Sequence, residues 1–131
     1  MSPQRQDYLL RLLEELGRFV REALRSGERP KIEAALPEIV QAQIKLFARP
    51  PAEFLGQPLE AQIDLLVQGE PDATAVEKCV IYAGILHQAA QLYDSLGRPA
   101  LALGSRQLAA SVLQTAAQRW PEHADKISEE G

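Results

Sequence analysis

The sequence predicts an all-α domain of five to six helices, on three observations. Apolar residues recur at spacings of three and four along most of the 131 residues, as on one face of a helix. Prolines and glycines cut that pattern into segments of helical length rather than strand length. Between Cys79 and Gln118 the chain carries only Asp94, Arg98 and Arg106 as ionised groups, although 24% of all residues are charged. Two helices joined at Leu96-Gly97-Arg98-Pro99 with so little charge have faces that lean on other surfaces.

The first helix is expected to be capped by Ser2 and to begin at Pro3, since proline fits the first helical position. Leu9, Leu12, Leu13, Leu16, Phe19, Val20 and Leu24 form its apolar stripe, and Gly27 supplies a left-handed stop. Its outer face alternates Arg11, Glu15, Arg18 and Glu22, pairs that stabilise a helix by a few tenths of a kcal/mol each. The second helix spans about Pro30 to Ala48, with Ile32, Leu36, Ile39, Ile44 and Leu46 facing the core. Pro37 lacks an N–H and its ring crowds the carbonyl four residues back, so a kink or a break is expected there.

Pro50-Pro51 ends that helix, and Phe54, Leu55, Gly56 and Pro58 read as a connector. A short helix follows from about Leu59 to Gln68, burying Ile63, Leu66 and Val67. After Gly69-Glu70-Pro71, Thr74 and Glu77 have the spacing of a capping box, which starts the next helix near Ala75, with Asp72 as the alternative cap. This helix carries two apolar stripes, Val76, Cys79, Ala83, Leu86, Ala90 and Tyr93 on one side and Ile81, Ile85, Ala89, Leu92 and Leu96 on the other. A helix apolar on both sides is an inner one. Its polar strip is Gly84, His87, Gln88, Gln91 and Asp94. The last long helix spans Pro99 to about Arg119, with Leu101, Leu108, Val112, Leu113 and Ala116 inward. Folding back at Gly97 sets Tyr93 opposite Ala102 and Leu86 opposite Ala109, large against small. The organisation is thus one domain over 1–131: a first hairpin at about 3–48, a connector and short helix at about 50–69, a second hairpin at about 74–119 and a tail at 120–131.

The pattern of Leu86, Ala90, Tyr93, Gly97, Ala102 and Ala109 resembles the tetratricopeptide repeat, whose helix pairs stack through such residues at similar intervals. Arg106 departs from it, standing where the repeat favours a large apolar residue, and Pro121 comes too late to close the motif. Leu13, Leu16 and Gly17 begin a second match, so the resemblance implies two stacked αα-hairpins. The stretch from Gln6 through Leu9-Leu10-Arg11-Leu12-Leu13-Glu14-Glu15-Leu16-Gly17-Arg18 to Phe19 also resembles the start of an uncharacterised family of small bacterial all-helical proteins. That likeness implies the fold and offers no catalytic residue.

Composition narrows the function. Cys79 is the only cysteine, which rules out an intrachain disulfide and fits a reducing compartment, so a cytoplasmic location is expected. No run reaches the roughly 20 apolar residues of a membrane span. Residues 1–31 hold seven Arg/Lys against five Asp/Glu and the rest seven against thirteen. Such an interleaved excess argues against nucleic acid, which favours a concentrated basic patch. His87 and His123 are far apart and lack metal-ligand spacing, so neither metal nor cofactor is expected. Cys79 lies eight residues from His87 on one helix, about 12 Å, too far for a thiolate pair. Gly84 and Gly104 lie inside helices and are read as marks of close helix packing. Phe19, Phe47, Phe54 and Trp120 are scattered and offer no platform for bases.

Two faces remain as candidate sites. His87, Gln91 and Asp94 share one side of their helix, and the repeat alignment places Arg11, Glu14, Arg18 and Arg21 on the same concave groove, where arginines would hold a carboxylate-bearing peptide. Gln107, Ser111, Gln114 and Gln118 form a neutral polar stripe suited to self-association. The leading expectation is a non-catalytic protein-interaction or scaffolding module with a protein or peptide partner, forming a homodimer. The rivals are a helical small-ligand binder or enzyme with an apolar pocket under the connector at Phe54 and Leu55, and a nucleic-acid-associated regulator acting through the first helix.

Overall fold

A computed structural model describes the backbone of residues 3–130 and the side chains of residues 7–127. The elements in chain order are α1 (Pro3–Ser26), α2 (Arg29–Phe47), α3 (Pro51–Phe54), α4 (Leu59–Val67), α5 (Asp72–Ser95), α6 (Pro99–Arg119), a 3-10 turn (Pro121–His123) and α7 (Ala124–Glu130). The described residues contain no strand, and none of their helices is long and apolar enough to cross a membrane. The count of seven exceeds the expected five to six for two reasons. Pro50-Pro51 starts a one-turn helix within the connector, and the tail is itself helical, anchored by the buried Ile127. The Ser2 cap expected for α1 lies outside the described residues.

The centre of the fold is α5, which touches α1, α2, α4, α6 and α7. Fourteen of its residues are buried, too many for a helix with a single apolar face, and both stripes read from the sequence point into the core. Between its ends the helix reaches water mainly along the polar strip, where His87, Gln91 and Asp94 are exposed and Gln88 is half-buried. At the α1–α5 seam Gly84 faces Leu13 so closely that a Cβ there would lie 2.9 Å from Leu13 Cδ2. Gly17 of α1 meets Gln88 along the same seam. These glycines bring the helices together, whereas Gly104 has nothing within 4 Å and sits on the outside of α6, contrary to expectation.

The α5–α6 turn closes through local geometry. Gly97 takes φ of +72°, its N–H donates to Asp94 O at 3.1 Å and the Arg98 N–H donates to Tyr93 O at 2.9 Å, the pair of bonds of a Schellman motif. Pro99 then opens α6, and Ala102 and Ala109 are fully buried along its inner face.

Four expectations are corrected. Pro37 does not interrupt α2, which continues from Arg29 to Phe47; Glu33 and Pro37 share the exposed side, where water can solvate the carbonyl that lacks its donor. The helix expected near Ala75 starts at Asp72, so Thr74 lies inside α5, fully buried, and the N-cap position falls to Pro71, which offers no side-chain cap. Phe19, at 44% exposure, falls to the flank of the α1 stripe and borders shallow hollows beside α2 instead of entering the core. Leu101, at 51%, sits in the first turn of α6, ahead of the point at which Ala102 begins the buried face.

Candidate functional site

Beneath α3 the aromatic residues meet. Phe47 at the end of α2 stacks on Phe54 with ring centroids 4.2 Å apart, and the Tyr82 ring packs edge-on against Phe47 at 5.1 Å. The Tyr82 hydroxyl donates to Gln62 Oε1 at 2.8 Å, and Gln62 Nε2 donates to the Phe54 carbonyl at 3.1 Å. Four helices are thereby locked together, α2, α3, α4 and α5. Little in the residue pattern signals this, because Phe47, Phe54 and Tyr82 are placed by tertiary packing rather than by a shared helical face. The cluster is buried, so it offers no surface on which a base could stack.

Beside this cluster opens a cleft of about 770 Å³ between α2, the connector, α5 and α6. Leu36, Ile39 and Val40 form its α2 wall, Leu55 and Gly56 its rim, Leu86 and Ala89 its α5 side and Leu108 its α6 side. Polar atoms enter from Gln43, Gln62, Tyr82, Tyr93 and Ser105, and none of the lining residues is ionisable near neutral pH. The volume falls within the roughly 300–1,000 Å³ of small-molecule sites. Gln43 as a residue is 8% exposed, and its carboxamide makes no hydrogen bond with the described residues. Its amide atoms are not sealed from solvent, so the cleft gives water, or a ligand in its place, access to them.

The candidate groove residues are exposed on two helices, Arg11, Glu14, Arg18 and Arg21 along one side of α1 and His87, Gln91 and Asp94 on the polar strip of α5. Arg21 lies at the α1–α5 seam, its guanidinium 3.2 Å from where a Gly17 Cβ would stand, beside Gln88. Arg11 borders a hollow with Glu15 and Lys45 on the α2 flank of α1. Glu14 and Arg18 are exposed on the outer face, as are His87 and Gln91 on α5. Asp94 is engaged by Arg106 of α6, the residue that departs from the repeat pattern.

The outer face of α6 carries Gln107, Gln114 and Gln118, all exposed, with Ser111 half-buried at its edge. Ala100, Leu103, Gly104 and Ala110 share that side, Leu103 at 55% exposure. The only charged side chains of α6 turn away to partners within the chain: Arg106 to Asp94, and Arg119 to Glu60 at 2.5 Å and Asp64 at 2.9 Å.

At the end formed by α4, the start of α5 and α7 lies a polar clamp that the sequence did not disclose. Lys78 Nζ sits 2.9 Å from Glu70 Oε2 with both side chains under one-tenth exposed, and it donates to the Leu66 carbonyl at 3.3 Å. Trp120 Nε1 donates to Asp72 Oδ1 at 3.2 Å, and Lys126 lies 3.7 Å from Glu77. Cys79 is fully buried nearby, and burial pushes its thiol up to about 12, so the nucleophilic thiolate is suppressed at neutral pH. Among the described residues no three His, Cys, Asp or Glu side chains cluster to hold a metal ion.

Comparison of the chain with protein families, with curated proteins and with solved structures finds no match in any of the three. The functional reading therefore rests on this chain's own geometry.

Proposed function

We propose that this protein is a non-catalytic, cytoplasmic protein-interaction module that associates with a second copy of itself through the outer face of α6. The observation that carries the reading is a 21-residue helix whose outward side holds no ionised group, both of its arginines being paired inside the chain. Interface cores are depleted in charge, and a neutral face meets its own two-fold image without opposing like charges. Gly104 and Ala110 leave room for close approach on that side, and the exposed Leu103 adds apolar area. The α1–α2 and α5–α6 pairs fit the tetratricopeptide-like reading, in which short arrays cover their end faces by association.

A helix of this length spans about 30 Å, and at about 10 Å width its face covers about 300 Å². That is well under the ~800 Å² per partner of a standard interface, so the dimer is expected to be weak and concentration-dependent. Light scattering across the micromolar range is expected to show dimer growing with concentration. The pair Ser111→Glu and Gln114→Glu shifts it to monomer, with helicity by circular dichroism retained, because separating the copies avoids desolvating four carboxylates. A wild-type chain that stays monomeric at high micromolar concentration would refute the proposal.

A further inference from the structure

We infer that the cleft beside Leu55 is a binding site for a neutral, largely apolar small molecule with one amide or alcohol head, received by the Gln43 carboxamide. The inference goes beyond self-association and uses different residues, since the cleft opens between α2 and α5 while the neutral face lies on the outside of α6. Its first support is charge: no acid, lysine or arginine lines the cleft, so a charged ligand would be desolvated there with no counter-ion. Its second support is the Gln43 amide, which opens on the cleft without a partner among the described residues. Gln43 is more than nine-tenths buried, lines the cleft and has no partner in the described chain. Gln62, by contrast, is bonded on both sides of its amide, by Tyr82 and to Phe54, which holds the adjoining wall in place.

A carboxamide offers a donor and an acceptor side by side, so the matching head both donates and accepts. An amide or an alcohol does this and a carboxylate does not. Leu36, Val40, Leu55 and Leu108 leave the rest of the cleft to an alkyl or ring body, the usual division between orienting polar atoms and apolar walls. Val40 on the α2 wall, at 37% exposure, and Leu55 at the rim, at 46%, would lose water contact when the body enters.

The test is a titration of the whole protein with octanamide and with octanoate, followed by amide and side-chain signals in ¹H–¹⁵N correlation spectra. Octanamide is expected to saturate, to move the Gln43 side-chain NH₂ pair and to bind at least tenfold tighter than octanoate. Gln43→Leu, which keeps the wall apolar, is expected to lower octanamide affinity up to about tenfold, the worth of a neutral hydrogen bond. Ser105→Trp, on the α6 side, is expected to block the cleft while leaving the spectrum of a folded chain. Equal affinity for octanoate, an octanamide affinity unmoved by Gln43→Leu, or no saturation by octanamide would each overturn the inference. So would cleft signals that move with protein concentration alone, which would make a second copy of the chain the occupant.

Discussion

Replacing Lys78 by Met tests whether the buried ion pair at the end of the fold works as a clamp. Met keeps most of the side-chain volume and removes the cation from a carboxylate that stays buried. At 2.9 Å and an effective dielectric constant near 20, the pair's gross attraction is about 6 kcal/mol. Desolvation of both groups offsets much of this, and breaking a buried pair from one side typically costs about 3 to 5 kcal/mol. The variant also loses the bond to the Leu66 carbonyl, which fastens the end of α4. We therefore expect Lys78→Met to destabilise by about 3 to 5 kcal/mol in urea unfolding followed by circular dichroism. Adding Glu70→Gln removes the buried negative charge, and the double variant is expected to recover at least about 2 kcal/mol relative to additivity. Additive effects within about 0.5 kcal/mol would show that the two side chains do not depend on each other, and the clamp reasoning would fail.

The remaining predictions concern pH and packing. Burial raises both the Cys79 thiol, ordinarily 9.0, and the Tyr82 hydroxyl, ordinarily 10.0, to about 12. Between those values the folded chain holds protons that the unfolded chain has released, so this contribution is full below about pH 9 and is lost as pH rises toward 12. The urea midpoint is expected to fall from pH 8 to pH 10.5, less steeply in Cys79→Ser, and a midpoint equally steep in both would exclude the thiol's part. Ala102 is fully buried on the inner face of α6, so Ala102→Leu is expected to overpack the hairpin and cost about 1 to 3 kcal/mol. An unchanged melting midpoint would mean that α5 and α6 leave space there.

The sequence disclosed what depends on local pattern. The two stripes of α5, the left-handed Gly97 and the neutral side of α6 are all written in residue spacing, and each stands where that spacing put it. What escaped depends on which distant segments meet. Pro37 looks like a breaker until its neighbours are known to face water, and Thr74 looks like a cap until the turn before it is seen to wind from Asp72. Phe47, Phe54 and Tyr82 share no helical face, yet a connector that folds over α2 brings them into one stack. Glu70 and Lys78 are eight residues apart across a loop and a helix start, a spacing that carries no helical signal. The cleft was legible only as a place, since an apolar pocket at Phe54 and Leu55 belonged to the rival ligand-binding reading, and Gln43 on its wall gave no sign of itself in the α2 pattern.

The polar clamp lies at one end of the molecule, and α1 has no share in it. Glu60, Asp64, Asp72 and Glu77 are tied across the chain to Arg119, Trp120 and Lys126, so α4, the start of α5 and the C-terminal segment unfold only by breaking directional bonds in concert. Among the described side chains of α1, Ser26 makes only local hydrogen bonds, and the helix is held to α5 by shape, leucine against glycine. Contacts of that kind are short-ranged and vanish together once the helices part by a few ångströms. The fold is therefore expected to be graded, with α1 opening at a lower free energy than the clamped end, an order that hydrogen exchange of the α1 and α4 amides would read.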